Sequence, residues 1–253
     1  MKGATIALAR VYELPGEEAL PIEKISSQNQ TTKSILLNAL MAAVSLFVNG
    51  FGIYLTMRAD IGASPWDVFN LGISGTVGIL YGTASIMVSV TILVIDILMK
   101  EPVGIAMFID SIVVGKSVDL FNYLDLVPIP KTLFGSVLLM LTGLFIMGYT
   151  QCFYMKAALG CGPRDTLLVG LKRRLPKIPI GVVSMIMLSV VTLIGFLLGG
   201  PVGIGTIICA LFSGPIMQFS FRTLGFDATS VHHQDVARTL EIWFGDLNKK
   251  LRN

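Results

Sequence analysis

The chain has 253 residues, of which 53% are hydrophobic and only 14% charged. Typical soluble domains run at roughly 45–50% apolar and about 25% charged, so the shortage of charge is the larger departure and excludes a soluble domain. Cys152, Cys161 and Cys209 lack metal-ligand spacing and are odd in number, which argues against a disulfide scaffold and a zinc site. No basic patch interleaved with aromatics points to nucleic acid.

Residues 1–33 mix Lys2, Arg10, Lys24 and Lys33 with Glu13, Glu17, Glu18 and Glu23. They lack the apolar core and cleavage site of a secretory signal and read as a polar cytoplasmic tail. A 23-residue uncharged run, Ile35 to Met57, predicts a first span, since about 20 apolar residues cross a roughly 30 Å hydrocarbon core. A short segment rich in Gly and Pro, Ile61–Gly78, follows. Tyr81–Met99 is the second span, closed by Lys100-Glu101-Pro102. Val103–Phe121 is the third, although it carries Asp110, Lys116 and Asp119. Beyond Pro128 and Pro130, Leu133–Met155 gives a fourth. Leu159–Leu175 is a second short segment, running into the cluster Lys172-Arg173-Arg174-Leu175-Pro176-Lys177. The next 44 residues, Ile178–Phe221, are uncharged. As one helix they would reach about 66 Å. Gly199-Gly200-Pro201 therefore divides them into Ile180–Leu198 and Val202–Phe221. In the C-terminal tail, Val236, Leu240, Trp243, Leu247 and Leu251 recur at helical spacing, as in a surface amphipathic helix. His232 and His233 read as a solvated pair rather than metal ligands.

The lysine and arginine bias puts the 172–177 cluster, Lys100 and both termini on the cytoplasmic side, leaving Arg58 and Lys131 outside. The fold class is an all-α polytopic membrane protein: a tail (1–33), two membrane units (34–128 and 129–223) and a second tail (224–253).

The two units are copies. Met-Arg-Ala-Asp-Ile-Gly-Ala-Ser-Pro-Trp-Asp (57–67) aligns with Met-Lys-Ala-Ala-Leu-Gly-Cys-Gly-Pro-Arg-Asp (155–165) at an offset of 98. After one inserted residue, Gly82, Ser85 and Gly115 fall on Gly181, Ser184 and Gly214. Pro102-Val103-Gly104-Ile105 falls on Pro201-Val202-Gly203-Ile204. Matches at Gly, Pro and Asp say more than Leu on Leu. With three spans and one short broken or re-entrant segment per copy, the copies are inverted. If the short segments also cross, there are eight spans and parallel copies. The first arrangement is expected, from the usual span length.

The pairing of Ser-Pro-Trp-Asp with Gly-Pro-Arg-Asp, with the downstream Gly-Thr-Ala-Ser and Gly-Gly-Pro-Val-Gly-Ile-Gly-Thr, resembles the YczE-like membrane proteins of the broader YczE/YitT group. The likeness covers about residues 35–221 and implies a multi-pass protein of the bacterial plasma membrane.

Paired short segments broken by Gly and Pro are the sequence pointer to a transporter's midplane site. The candidate residues are Ser64, Pro65, Trp66 and Asp67 in one copy, and Gly162, Pro163, Arg164 and Asp165 in the other. Asp67 and Asp165 serve either as site carboxylates, given the cost of intramembrane charge, or as helix N-caps. Arg164 either grips an anion or pairs with an Asp, or it snorkels to headgroups. Trp66 fits an interfacial aromatic belt. Lys116 and Asp119, three residues apart, share a helix face and can pair; with Asp110 they line a polar path or lock packing. Asp96 reads as interfacial.

The expected function is a transporter of a small solute or ion. The rival is an accessory or scaffold membrane protein, with homo-oligomerisation open. An enzyme is not expected, because nucleophile and acid/base sets are missing and no histidine lies in the spans. No cofactor or catalytic residue is assigned.

Overall fold

A computed structural model of the protein describes residues 32–226; the readings of residues 1–31, of His232 and His233 and of the tail helix lie outside the described residues. Among those described, the chain forms eight helices and no strand. They are α1 (Thr32–Arg58), α2 (Pro65–Val77), α3 (Tyr81–Leu98), α4 (Ile105–Leu124), α5 (Leu133–Lys156), α6 (Pro163–Arg174), α7 (Ile180–Leu197) and α8 (Ile204–Thr223). The long helices follow the six apolar runs, and the two Gly/Pro segments become the short helices α2 and α6. Proline opens both short helices, where its missing N–H costs nothing and its fixed φ suits the first turn. Gly78 ends α2 in a left-handed conformation, φ 73°, which glycine adopts freely.

Five helices (α1, α3, α5, α7 and α8) are long and apolar enough to cross a membrane. α4 has 20 residues but carries three charges. The outward faces of the bundle are apolar, as along α7 with Met185, Ile186, Val190 and Leu193. A surface so free of charge is unstable in water and suits hydrocarbon. The protein is a multi-pass membrane protein.

α1 and α5 form the centre and run antiparallel: Gly52 faces Gly143, and Asn49 Nδ2 donates to Thr150 Oγ1 at 3.0 Å. α4 lies parallel to α1, with Gly50 against Ser117 and the Arg58–Asp125 ion pair beyond. α8 lies parallel to α5, with Cys209 against Met140 and Gly148 against Ser220. The loops before α2 and α8 bond to each other, Gly205 N–H to Ile61 C=O at 2.7 Å and Ala63 N–H to Pro201 C=O at 3.2 Å. The loops before α4 and α6 meet likewise through Ala106 N–H and Leu159 C=O at 3.1 Å.

At one end of the bundle Arg58 donates through Nε to Val127 C=O at 2.7 Å. At the other, Glu101 is buried and accepts from Arg173 at 2.8 Å and Arg174 at 3.4 Å. The Lys100 turn and the basic cluster therefore share an end, opposite Arg58.

The helix pairs α3/α4 and α7/α8 differ sharply. α3 is pressed onto α4: a Cβ on Gly82 would lie 2.1 Å from the Gly115 carbonyl oxygen. α7 instead packs on α2, where Gly72 and Gly195 let the backbones meet, and it is not packed on α8. Gly214 faces open space. An apolar groove of about 750 Å³ separates α7 from α8, walled by Ser184, Leu188 and Thr192 on one side and Ile207, Ala210 and Leu211 on the other.

Close glycine packing sets a stability prediction. A Cβ at Gly143 would sit 2.6 Å from the Gly52 carbonyl oxygen, so Gly143→Val is expected to destabilise by about 1–3 kcal/mol through overpacking. Gly214→Ala, in open space, is expected to leave stability unchanged or slightly raised. Thermal melts of both variants in detergent check this.

Candidate functional site

The helices that cross most of the bundle are apolar, so the few polar side chains inside it stand out. Two sets of them lie around the short helices.

The first surrounds Asp67, only 2% exposed. Asp67 lies in the first turn of α2, just inside Pro65. Its carboxylate accepts from Ser64 Oγ at 2.6 Å and from Tyr81 OH at 2.7 Å, and Asn70 Nδ2 reaches the same Tyr81 hydroxyl at 3.5 Å. Tyr81 is the first residue of α3, so this set ties α2 to α3. The cap reading changes in detail: hydroxyls from Ser64 and Tyr81, rather than the helix's own N–H groups, satisfy the carboxylate. Burial of an ion in hydrocarbon demands such paired donors.

The second set lines a cavity of about 360 Å³ at the centre of the bundle. Every helix except α7 contributes to its wall. Arg164 and Asp165 enter from the first turn of α6, Asp110 from α4, Ser85 and Ser89 from α3, and Gln151 from α5. Trp66 reaches the same cavity from α2. The Arg164 guanidinium lies over the Trp66 ring, 5.0 Å from its centroid, a cation–π distance. Arg164 Nη2 also approaches Ser85 Oγ at 3.5 Å. The two Pro-Xaa-Asp segments thus meet through their central residues. Asp110 Oδ2 and Asp165 Oδ2 both point toward Gly162, at 3.2 and 3.9 Å from where a Cβ on it would stand. The Arg164 charge acts on both carboxylates, but neither forms an ion pair with it within 4 Å.

The expected site residues therefore separate. Trp66, Gly162, Arg164 and Asp165 share the cavity with Asp110, whereas Asp67 and Ser64 sit in their own closed network. Pro65 and Pro163 shape the helix starts, and Pro65 also edges the α7/α8 groove. Trp66, expected in an interfacial belt, faces Arg164 inside the bundle. The Lys116–Asp119 pair does not form. Lys116 is exposed on the apolar outer face of α4, in line with Ile112 and Leu120. Asp119 turns inward, and its Oδ1 accepts from Gly82 N–H at 2.7 Å. An open helix N-terminus beside it is the stronger partner. Neither lines the cavity. Asp96, expected at an interface, is fully buried near the end of α3, because the turn to Glu101 folds back and bonds Glu101 N–H to the Asp96 carbonyl.

Sequence reasoning missed Tyr81, Ser89, Asn49 and Gln151 as polar lining or support. Ser85 was visible only as a repeat position. Single serines in apolar helices give no signal until a neighbour is placed beside them. Among the described residues, no group of three His, Cys, Asp or Glu is arranged to hold a metal.

Comparison with known proteins adds family context. The model of a family described as "Family of unknown function (DUF6198)" matches residues 36–222. An "Uncharacterized protein" of Haemophilus influenzae is 32% identical over 74% of this chain and 82% of its own length. The "Uncharacterized membrane protein YczE" of Bacillus subtilis is 29% identical over 69% of this chain and 81% of its own. The "Uncharacterized protein YyaS" of Bacillus subtilis is 23% identical over 69% of this chain and 88% of its own. No solved structure matches significantly.

The Asp67 network makes a specific prediction. Tyr81→Phe removes one of two donors from a buried carboxylate and is expected to cost about 1–3 kcal/mol. Ser85→Ala, at a long contact, is expected to cost less than about 1 kcal/mol. Denaturant or thermal unfolding in detergent measures the difference.

Proposed function

The chain belongs to the DUF6198 family, and we propose that it is a transporter of a small solute, with its site in the central cavity where Trp66 meets Arg164. The single observation that carries this reading is a polar, charged cavity at the junction of two Gly/Pro-broken segments, inside a bundle whose outside is apolar. Charge in such a place is costly and marks pathways or binding sites more often than packing.

An inverted relation between the two units supports the reading. α1 and its sequence equivalent α5 run antiparallel, whereas equivalent helices of parallel copies share a direction. The pairs α1/α4 and α5/α8 repeat one arrangement, as do the two loop–loop contacts. On this reading six helices span, α2 and α6 enter from opposite sides, and both termini face the cytoplasm of a bacterial plasma membrane. The basic cluster beside Lys100 agrees with that orientation.

Alternating access then follows from the difference between the halves. α3 packs on α4, while α7 leans on α2 and leaves α8. In the other state the halves exchange these arrangements: α7 closes on α8, bringing Gly181 to Gly214 as Gly82 meets Gly115 here, and α3 withdraws from α4. Ser184 then enters the cavity wall in the place Ser85 holds now.

The rival reading, an accessory or scaffold membrane protein, draws on the Asp67 network, where Ser64 and Tyr81 hydroxyls bind the carboxylate and tie α2 to α3. It leaves the unpaired charges of the cavity without a role.

Two outcomes are expected. Liposome flux driven by a solute gradient is expected to fall at least tenfold in Arg164→Ala and Asp165→Asn with folding retained; unchanged flux in both returns the protein to the accessory class. In a background free of Cys152, Cys161 and Cys209, spin labels at Met185→Cys and Leu211→Cys, on opposite walls of the α7/α8 groove, are expected to show a second, shorter separation in liposomes. A single long separation under all conditions contradicts the exchanged state.

A further inference from the structure

We propose that the central cavity binds a small zwitterion, its cationic group on the paired carboxylates of Asp110 and Asp165 and its acidic group on Arg164. The inference rests on the transport reading of the same cavity and adds the substrate class.

The argument is one of charge and space. Arg164, Asp110 and Asp165 all face the cavity, yet no ion pair within 4 Å joins Arg164 to either carboxylate. Opposite charges kept apart inside an apolar bundle leave each without its best partner. A lone cation would meet the guanidinium on the same wall, and a lone anion would meet two carboxylates. A molecule bearing both signs satisfies both walls at once.

The remaining negative charge has a local counterpart. Asp110 Oδ2 and Asp165 Oδ2 both lie near Gly162, the residue that starts α6, so the partial positive charge of that helix start offsets part of their combined charge. Arg164 and this pair of carboxylates are left as the two matched poles. Arg164 is already fixed from one side: Trp66 covers its face and Ser85 approaches Nη2. Its other donors are available, and a guanidinium held this way suits a planar acid group.

Size narrows the class. The cavity of about 360 Å³ is near the lower end of ligand sites, which run from roughly 300 to 1,000 Å³. At about 30 Å³ per water molecule it holds a solute the size of a free amino acid or a betaine with a few waters. The neutral polar groups Gln151, Ser89 and Ser213 line the same space.

The test exploits the two tryptophans, Trp66 and Trp243. In purified Trp243→Phe protein, Trp66 emission reports on the cavity and is titrated with glycine betaine, L-alanine, choline, acetate and sodium. Glycine betaine or L-alanine is expected to give a saturable change, with choline, acetate and sodium at least tenfold weaker. By calorimetry, Asp165→Asn and Arg164→Lys, checked by melting for intact fold, are each expected to weaken the zwitterion about tenfold or more. Choline binding as tightly as betaine, with Arg164→Lys unaffected, overturns the proposal for a cation site. Acetate binding as tightly as either zwitterion, with Asp165→Asn unaffected, overturns it for an anion site. No saturable change and no calorimetric heat with either zwitterion also overturns it. Zwitterion binding without liposome uptake keeps this site and sinks transport. Uptake of choline does the reverse.

Discussion

The constraint on which everything else depends is the absence of water from hydrocarbon. A helix satisfies its own backbone there, but a charged side chain must find partners within the protein or, like the exposed Lys116, extend its charged end toward the headgroups. The bundle therefore turns an apolar face outward and collects its inner charges in a few places. Asp67 is closed in by two hydroxyls, and Asp119 takes the N-terminus of α3. Glu101 takes two arginines at the bundle's end. Arg164, Asp110 and Asp165 share a space without pairing, and Asp96, fully buried, is left with both carboxylate oxygens unpartnered.

Glycine sets the geometry that makes the cavity possible. Without a hydrophobic drive between helices in lipid, close backbone contact is a main source of cohesion. Gly52 on Gly143 joins the two units, Gly82 on Gly115 holds α3 to α4, and Gly72 on Gly195 holds α7 to α2. α3 and α7 are thus fixed by equally close contacts, but to different neighbours.

Much of the fold was legible in the residues. Apolar runs of 23 residues and the Gly199-Gly200-Pro201 break located the long helices to within a few positions, because span length follows from bilayer thickness. Pro65 and Pro163 located the short helices for an equally local reason, the fixed φ of proline. The recurrence of Pro-Xaa-Asp named Trp66, Arg164 and Asp165, which share the cavity, and Asp67, which lies outside it, bonded to Ser64 and Tyr81.

The sequence alone therefore determined what depends on near neighbours in the chain: an all-helical membrane protein, its helix limits and the internal likeness of its halves. Only the tertiary structure decided which carboxylate is satisfied and which is left facing a cavity. Tyr81 reaches Asp67 across 14 residues, Trp66 reaches Arg164 across the two units, and Asp119 prefers Gly82 to the nearer Lys116. Such choices depend on which helices lie side by side, and spacing along one helix carries no record of them.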